Sequence, residues 1–138
     1  MEDAFECYIT GWYSAGVRRV FKTRTFARWS RKAGLADGAL RTAVDEMAAG
    51  LIEADLGGHV YKKRVPLPGR GKRGGARTLI GADQGDRWFF LFGFEKNERD
   101  NIDARELALL QAIAGALLEM KSRQLDQAVE AGELLEVE

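Results

Sequence analysis

The chain is poor in residues that commonly carry chemistry alone. It holds one cysteine, Cys7, and one histidine, His59, among 138 residues. A lone thiol excludes an intramolecular disulfide and suits a reducing cytoplasm, which is the expected compartment. One cysteine and one histidine cannot build a structural zinc site, and no metal or other cofactor is expected. The two lie far apart with no motif around either, so an ordinary thiol and a strand-end histidine are expected, not a nucleophile with its base. No Ser-His-Asp set can be assembled around His59. No apolar run approaches the roughly 18 to 20 residues needed to cross a bilayer. The opening stretch "MEDAFECYITGWYSAG" is acidic first and mixed afterwards, without the basic-then-apolar order of a secretion signal. Net charge is lacking too, with 21 basic residues against 21 acidic ones. A length of 138 residues favours one domain with a single core.

The zero net charge hides a segregation. Residues 61–82, "YKKRVPLPGRGKRGGARTLIGA", carry Lys62, Lys63, Arg64, Arg70, Lys72, Arg73 and Arg77, and no carboxylate occurs between Asp55 and Asp83. After Arg123 the chain carries Asp126, Glu130, Glu133, Glu136 and Glu138 with no base among them. A solvated loop mixes signs; a basic block without acids suits a polyanionic partner, nucleic acid foremost.

Periodicity supplies the frame. "VRRVFK" (17–22) reads as a short strand. Thr23 or Thr25 offers an N-cap to a helix through "FARWSRKAG", which Gly34 closes. Asp37 is the expected cap of a second helix, "GALRTAVDEMAAG", whose Leu40, Val44 and Met47 share a face and whose stop is Gly50. The short link at Leu35 and Ala36 predicts an antiparallel αα-hairpin. "HVYKKRV", "RTLIGA" and "RWFFLFGF" then read as three strands, the last two joined by a tight turn at "DQGD". "RWFFLFGF" is apolar throughout, as a central strand covered on both faces must be. Asp103 caps a long helix with Leu107, Leu110, Ile113, Ala114, Leu117 and Leu118 on its buried stripe. The fold class is α+β: a small, curved, antiparallel-rich sheet carrying an N-terminal helical hairpin and a long C-terminal helix, in the order β-α-α-β-β-β-α. Residues 1–16 read as an N-terminal extension, 17–123 as the domain, and 124–138 as an acidic tail. That tail is a solvated end or, less simply, a flap folding across the basic face.

The motifs narrow the chemistry. "GRGKRG" at 69–74 matches G-x-G-x-x-G, but a strand follows where a dinucleotide fold needs a helix. The kinase arrangement fails because H-R-D and D-F-G are missing, and the P-loop fails because Arg73 follows Lys72. What is left is the basic block. Alternation puts Val60, Lys62 and Arg64 on one face of their strand and Tyr61, Lys63 and Val65 on the other. With Arg77 early in the next strand and Lys96 just past the third, Lys62, Arg64, Arg77 and Lys96 are expected to converge. Guanidinium groups grip phosphate oxygens by two bonds and lysine adds mobile point charge, so the expected ligand is a phosphodiester. The plainer alternative is a loop kept soluble by its charge.

"YKKRV", "GRGKRGGARTLI", the apolar strand and "GFEKNERDNI" together resemble the RelE/HigB family of bacterial toxins from type II toxin–antitoxin pairs, over about Val17 to Lys121. "GKRGGAR" followed by "KNE" is the most specific part. The resemblance implies a RelE-like fold and a ribosome-dependent endoribonuclease that cleaves messenger RNA in the ribosomal A site and so arrests translation. It also implies a cognate antitoxin, often a helix-turn-helix repressor, as partner. By the same resemblance Lys62 and Arg64 match positions whose lysines act on the scissile phosphate, Arg77 matches a transition-state arginine, and Lys96 matches the lysine after the last strand. Lys63, Arg70, Lys72 and Arg73 are expected to contact RNA. The chain departs from RelE itself at Asn97, where an arginine stands there, and at Ile102 and Asp103, near a functional tyrosine.

The residues alone make such chemistry feasible. RNA brings its own nucleophile, the 2′-hydroxyl, and cations neutralise the phosphorane. The departures leave the general acid and base unnamed: Lys62 or Lys63 could act as base, since lysines crowded by cations release protons more readily, and Glu98 is an alternative whose more ordinary role is a helix-entry ion pair. Two competing readings stay open: a ParE-like poison of DNA gyrase, and a non-catalytic RNA-binding module.

Overall fold

The computed structural model describes residues 18–69, 75–83 and 85–138. The N-terminal extension therefore lies outside the described residues, as does Cys7.

Strand β1 (Arg19–Thr23) is followed by helices α1 (Arg24–Ala33) and α2 (Asp37–Ala48). Strands β2 (Ala54–Asp55), β3 (Val60–Val65), β4 (Ala76–Ala82) and β5 (Arg87–Glu95) come next, then α3 (Ala104–Leu118), α4 (Ser122–Glu130) and β6 (Leu134–Val137). The six strands form one sheet in the order β2-β3-β4-β5-β1-β6. The middle strands run antiparallel, while β1 lies parallel to β5 and antiparallel to β6. The chain is thus a mixed α+β domain.

Each face of the sheet buries its own apolar set. Val20, Tyr61, Ile80, Trp88 and Phe90 pack with Leu40, Val44 and Met47 of α2 and Phe26 of α1. Phe21, Val60, Leu79, Phe89 and Leu91 pack with Leu110, Ala114 and Leu117 of α3 and Leu125 of α4. The run "RWFFLFGF" is central and covered on both sides, as its unbroken apolarity predicts: Trp88, Phe89 and Phe90 are fully buried. Its pairing with β4 steps from Leu79↔Phe92 to Ile80↔Phe90, so Leu91 is left over as a bulge.

The helix ends follow their local chemistry. Thr23 Oγ1 accepts from the Phe26 N–H at 3.1 Å, and Gly34 closes α1 in the left-handed region at φ 79°. Asp103 and Glu106 form a reciprocal capping box at the start of α3. Asp37 does not act as expected. Ala36 occupies the N-cap of α2 without a side-chain hydrogen bond, and Asp37 is its first helical residue, accepting from Lys22 Nζ at 2.7 Å. The buried lysine stem recruits the carboxylate, and the helix dipole favours an acid in that turn anyway.

The larger correction concerns the C-terminal residues. They are neither a solvated end nor a flap: they form α4 and β6, with Leu125, Ala128, Leu134 and Val137 buried. Arg19 takes up their acids, its Nε 2.9 Å from Glu136 and its Nη2 2.8 Å from Asp126, and those carboxylates push its guanidinium further toward the charged form. Strands β4, β5 and β1 separate β6 from β3, which puts the acidic segment at the opposite side of the sheet from the basic strand.

Candidate functional site

The register of β3 against β4 builds the site. Arg64 lies directly opposite Arg77, and Lys62 opposite Leu79. Residues directly opposite in an antiparallel pair share a face, so Lys62, Arg64 and Arg77 all project from the side that carries Val60 and Leu79. Arg77 in turn stands opposite Phe94 of β5, whose ring closes the next place along. The pairing Ala76↔Glu95 brings the end of β5 to this same end of the sheet, so Lys96, exposed in the turn at 96–98, follows close on the pair. Of the four residues expected to converge, Lys62, Arg64 and Arg77 share one face by register, and Lys96 lies in the turn at the same end of the sheet.

Two like charges directly opposite repel one another. The protein answers with Glu53, just ahead of β2: its Oε2 lies 3.3 Å from Arg64 Nε and its Oε1 3.5 Å from Arg77 Nε. One carboxylate therefore bridges both guanidiniums. Arg64 remains open to solvent, its side chain 45 % exposed, whereas Arg77 is only 6 % exposed. Arg77 Nη1 is buried and has no hydrogen-bond partner among the described residues. A buried charged donor without an acceptor is costly, on the order of 1–3 kcal/mol or more, and rare in folded proteins.

Lys63 is not part of this face. Alternation turns it to the other side of the sheet, where it is 5 % exposed and its Nζ lies 2.8 Å from Glu46 Oε1 and 2.9 Å from the Leu51 carbonyl. This buried lysine is tied to α2 and turned away from the arginine face, which does not fit its expected place among the RNA contacts or as a base. Glu98 is engaged as well, its Oε1 accepting from the Glu95 N–H at 3.0 Å to close the turn after β5. His59 sits at φ 67° in the turn before β3, at the far end of that strand from Arg64. Arg70, Lys72 and Arg73 lie outside the described residues.

The sequence reading missed two charged groups. Glu53 falls just outside the acid-free stretch, and only the pairing of β2 with β3 reveals that it reaches both arginines. Arg99 lies 5.9 Å from the Phe92 ring centre and 5.6 Å from that of Phe94, and is held by a two-point pair with Glu106. This pairing holds the Glu106 carboxyl below the ordinary range and the Arg99 guanidinium above its own.

A sequence model of the RelE toxin of the RelE/RelB toxin–antitoxin system matches residues 18–137. The chain belongs to the RelE toxin family. Among curated proteins none matches it. The matched span runs through α4 and β6, so the C-terminal segment is part of the RelE unit and not an addition to it. Membership makes the protein a toxin of a toxin–antitoxin system whose partner is a cognate antitoxin. Among the described residues no helix is long and apolar enough to cross a membrane.

Proposed function

We propose that this RelE-family toxin is a ribosome-dependent endoribonuclease that cleaves messenger RNA and arrests translation. Membership in a family whose toxins are generally endoribonucleases supports the reaction class. The observation that carries the reading is Arg77: a guanidinium buried opposite Arg64, with Nη1 left without a partner among the described residues.

The chemistry proceeds from the substrate's own 2′-hydroxyl. Its oxygen attacks the adjacent phosphorus, the P–O5′ bond breaks, and the products are a 2′,3′-cyclic phosphate and a 5′-hydroxyl. Between them lies a phosphorane with an added negative charge. Arg77 and Arg64 bind the non-bridging oxygens, and Lys62 and Lys96 add charge at the rim. A well-aimed donor of this kind is worth roughly 10²–10³ in rate when its site is preorganised. Burial of Arg77 supplies that preorganisation, because the group need not shed water or reorient as charge develops. Proton transfer falls to Lys62, which stands on the same face two residues before Arg64. Glu53 holds the two guanidiniums together until phosphate oxygens replace its own.

The test is single-turnover cleavage of mRNA on programmed ribosomes. The expected result is transcripts cut at the A-site codon. Transcripts left whole at saturating protein would remove the nuclease reading and leave a toxin that acts by binding alone.

A further inference from the structure

The arginine pair already holds an anion of the protein's own. Glu53 lies between α2 and β2, and its backbone N–H donates to the Lys62 carbonyl at 3.0 Å, which fixes it beside β3. From there its carboxylate reaches across both guanidiniums, Oε2 lying 3.3 Å from Arg64 Nε and Oε1 3.5 Å from Arg77 Nε. One oxygen on each of two cations is also the way in which two non-bridging phosphate oxygens would engage the pair.

The fit of this carboxylate is loose. Charge-assisted bonds between such groups run to about 2.7–2.9 Å. Other pairs of the protein reach that range, with 2.7 Å for Lys22 and Asp37, 2.8 Å for Lys63 and Glu46, and 2.9 Å for Arg19 and Glu136. Both contacts of Glu53 are longer, and they leave Arg77 Nη1 without a partner among the described residues. The Glu53 side chain is 21 % exposed, so water can take up the carboxylate once it is displaced. It is bound well enough to screen two opposed arginines and loosely enough to give way.

We propose that Glu53 is a specificity-determining residue: an internal competitor that keeps loose single-stranded RNA from the arginine pair and yields to RNA presented at high local concentration. This inference rests on the nuclease reading for its ligand class. A phosphodiester entering the site displaces the carboxylate and then lies beside it. Like charges at such range weaken every ligand that arrives singly. RNA held in place by a larger assembly binds as though at far higher concentration, and overcomes the same repulsion. The opposite role, a brace that Arg64 and Arg77 need in order to bind, predicts the opposite sign when the charge is removed.

The test is binding of a short single-stranded RNA whose 2′-hydroxyls are methylated, which offers phosphates but no nucleophile. Fluorescence anisotropy of the full-length protein reads it at one fixed salt concentration. Glu53→Gln should bind this RNA about tenfold more tightly than wild type, because a neutral amide replaces the competing charge. Glu133→Gln removes the same charge from an exposed position just before β6, at the opposite side of the sheet, and should bind as wild type does. Inorganic phosphate gives a second readout: it should raise the melting temperature of Glu53→Gln more than that of wild type. Glu53→Ala serves in both assays if the glutamine variant fails to fold. Equal or weaker binding by the Glu53 variant overturns the inference even if the wild-type protein cuts mRNA on ribosomes. An equal gain in Glu133→Gln assigns the effect to net charge and overturns it too. A gain confined to Glu53, in a protein whose wild type leaves every transcript whole, would uphold the competitor and remove the nuclease reading instead.

Discussion

Arg77→Met should make the protein no less stable while removing its cleavage activity. Methionine roughly matches the length of the arginine stem and has no donor to leave unsatisfied. The guanidinium is 6 % exposed and its Nη1 is unpartnered, a desolvation cost on the order of 1–3 kcal/mol that the substitution removes. Against this stands the contact of Arg77 Nε with Glu53 at 3.5 Å, a long ion pair worth roughly 0–1 kcal/mol where one partner still meets water. Glu53 does not become an uncompensated charge, because Arg64 stays 3.3 Å away. Relief of repulsion between opposed arginines adds to the gain. The balance is a stabilisation of about 0–2 kcal/mol, which for a domain of this size raises the melting temperature by up to roughly 8 °C.

The paired assay is single-turnover cleavage on ribosomes, where a lost transition-state donor costs roughly 10²–10³ in rate. Denaturant midpoints compared at an unchanged slope supply the stability arm. The reasoning is refuted by a variant that loses more than about 2 kcal/mol, since Arg77 would then be a structural keystone, its burial having nothing to do with RNA. A variant that cleaves at the wild-type rate refutes it from the other side.

Lys63→Met should leave cleavage within about threefold of wild type while costing roughly 1–3 kcal/mol, because it strips a partner from partly buried Glu46; a large loss of RNA affinity at unchanged stability would return Lys63 to the binding surface. Gly93→Ala should destabilise by about 2–4 kcal/mol, since a β-carbon there would sit 2.3 Å from Trp29 Cζ3 and the indole would have to leave its seat on β5; urea unfolding reads this, and a neutral outcome would mean the ring is free to move. Glu106 titrates below the ordinary glutamate value of about 4.3, so its contribution is complete above that pH and disappears as pH falls through the lower, folded value. Arg99→Met should restore an ordinary Glu106 titration by carboxyl NMR, and an unchanged titration would transfer the effect to the helix cap.

How much could be read in advance depended on how local the cause was. Thr23, Gly34 and Asp103 act on their own helix ends, and "RWFFLFGF" states its double burial in every residue, so these were legible. Alternation along β3 likewise separates Lys62 and Arg64 from Lys63. Asp37 misled because a residue distant in the sequence, Lys22, claims its side chain. The strand β6 was hidden by its acids. Glu136 looks like solvent-facing charge until Arg19, across the β1–β6 pairing, is seen to take it at 2.9 Å. Leu134 and Val137 fall on opposite faces, as two-sided burial at a strand demands, and the surrounding glutamates mask that pattern.

The same non-local logic explains the basic block. Its lack of acids does not mean that its charges go unanswered. Glu46 reaches Lys63 from α2, and Glu53 reaches Arg64 and Arg77 from beside β2. The two neutralisations differ in kind. Lys63 is sealed, with a carboxylate and a carbonyl both at hydrogen-bond distance. Arg77 is sealed from water yet left one acceptor short among the described residues. Lys63 has both its neighbours' oxygens at hydrogen-bond distance, and on the proposed reading the open donor of Arg77 is what separates a group kept for RNA from a structural one. On the proposed reading, the acid-free run in the sequence marks where the last acceptor for Arg77 comes from the RNA.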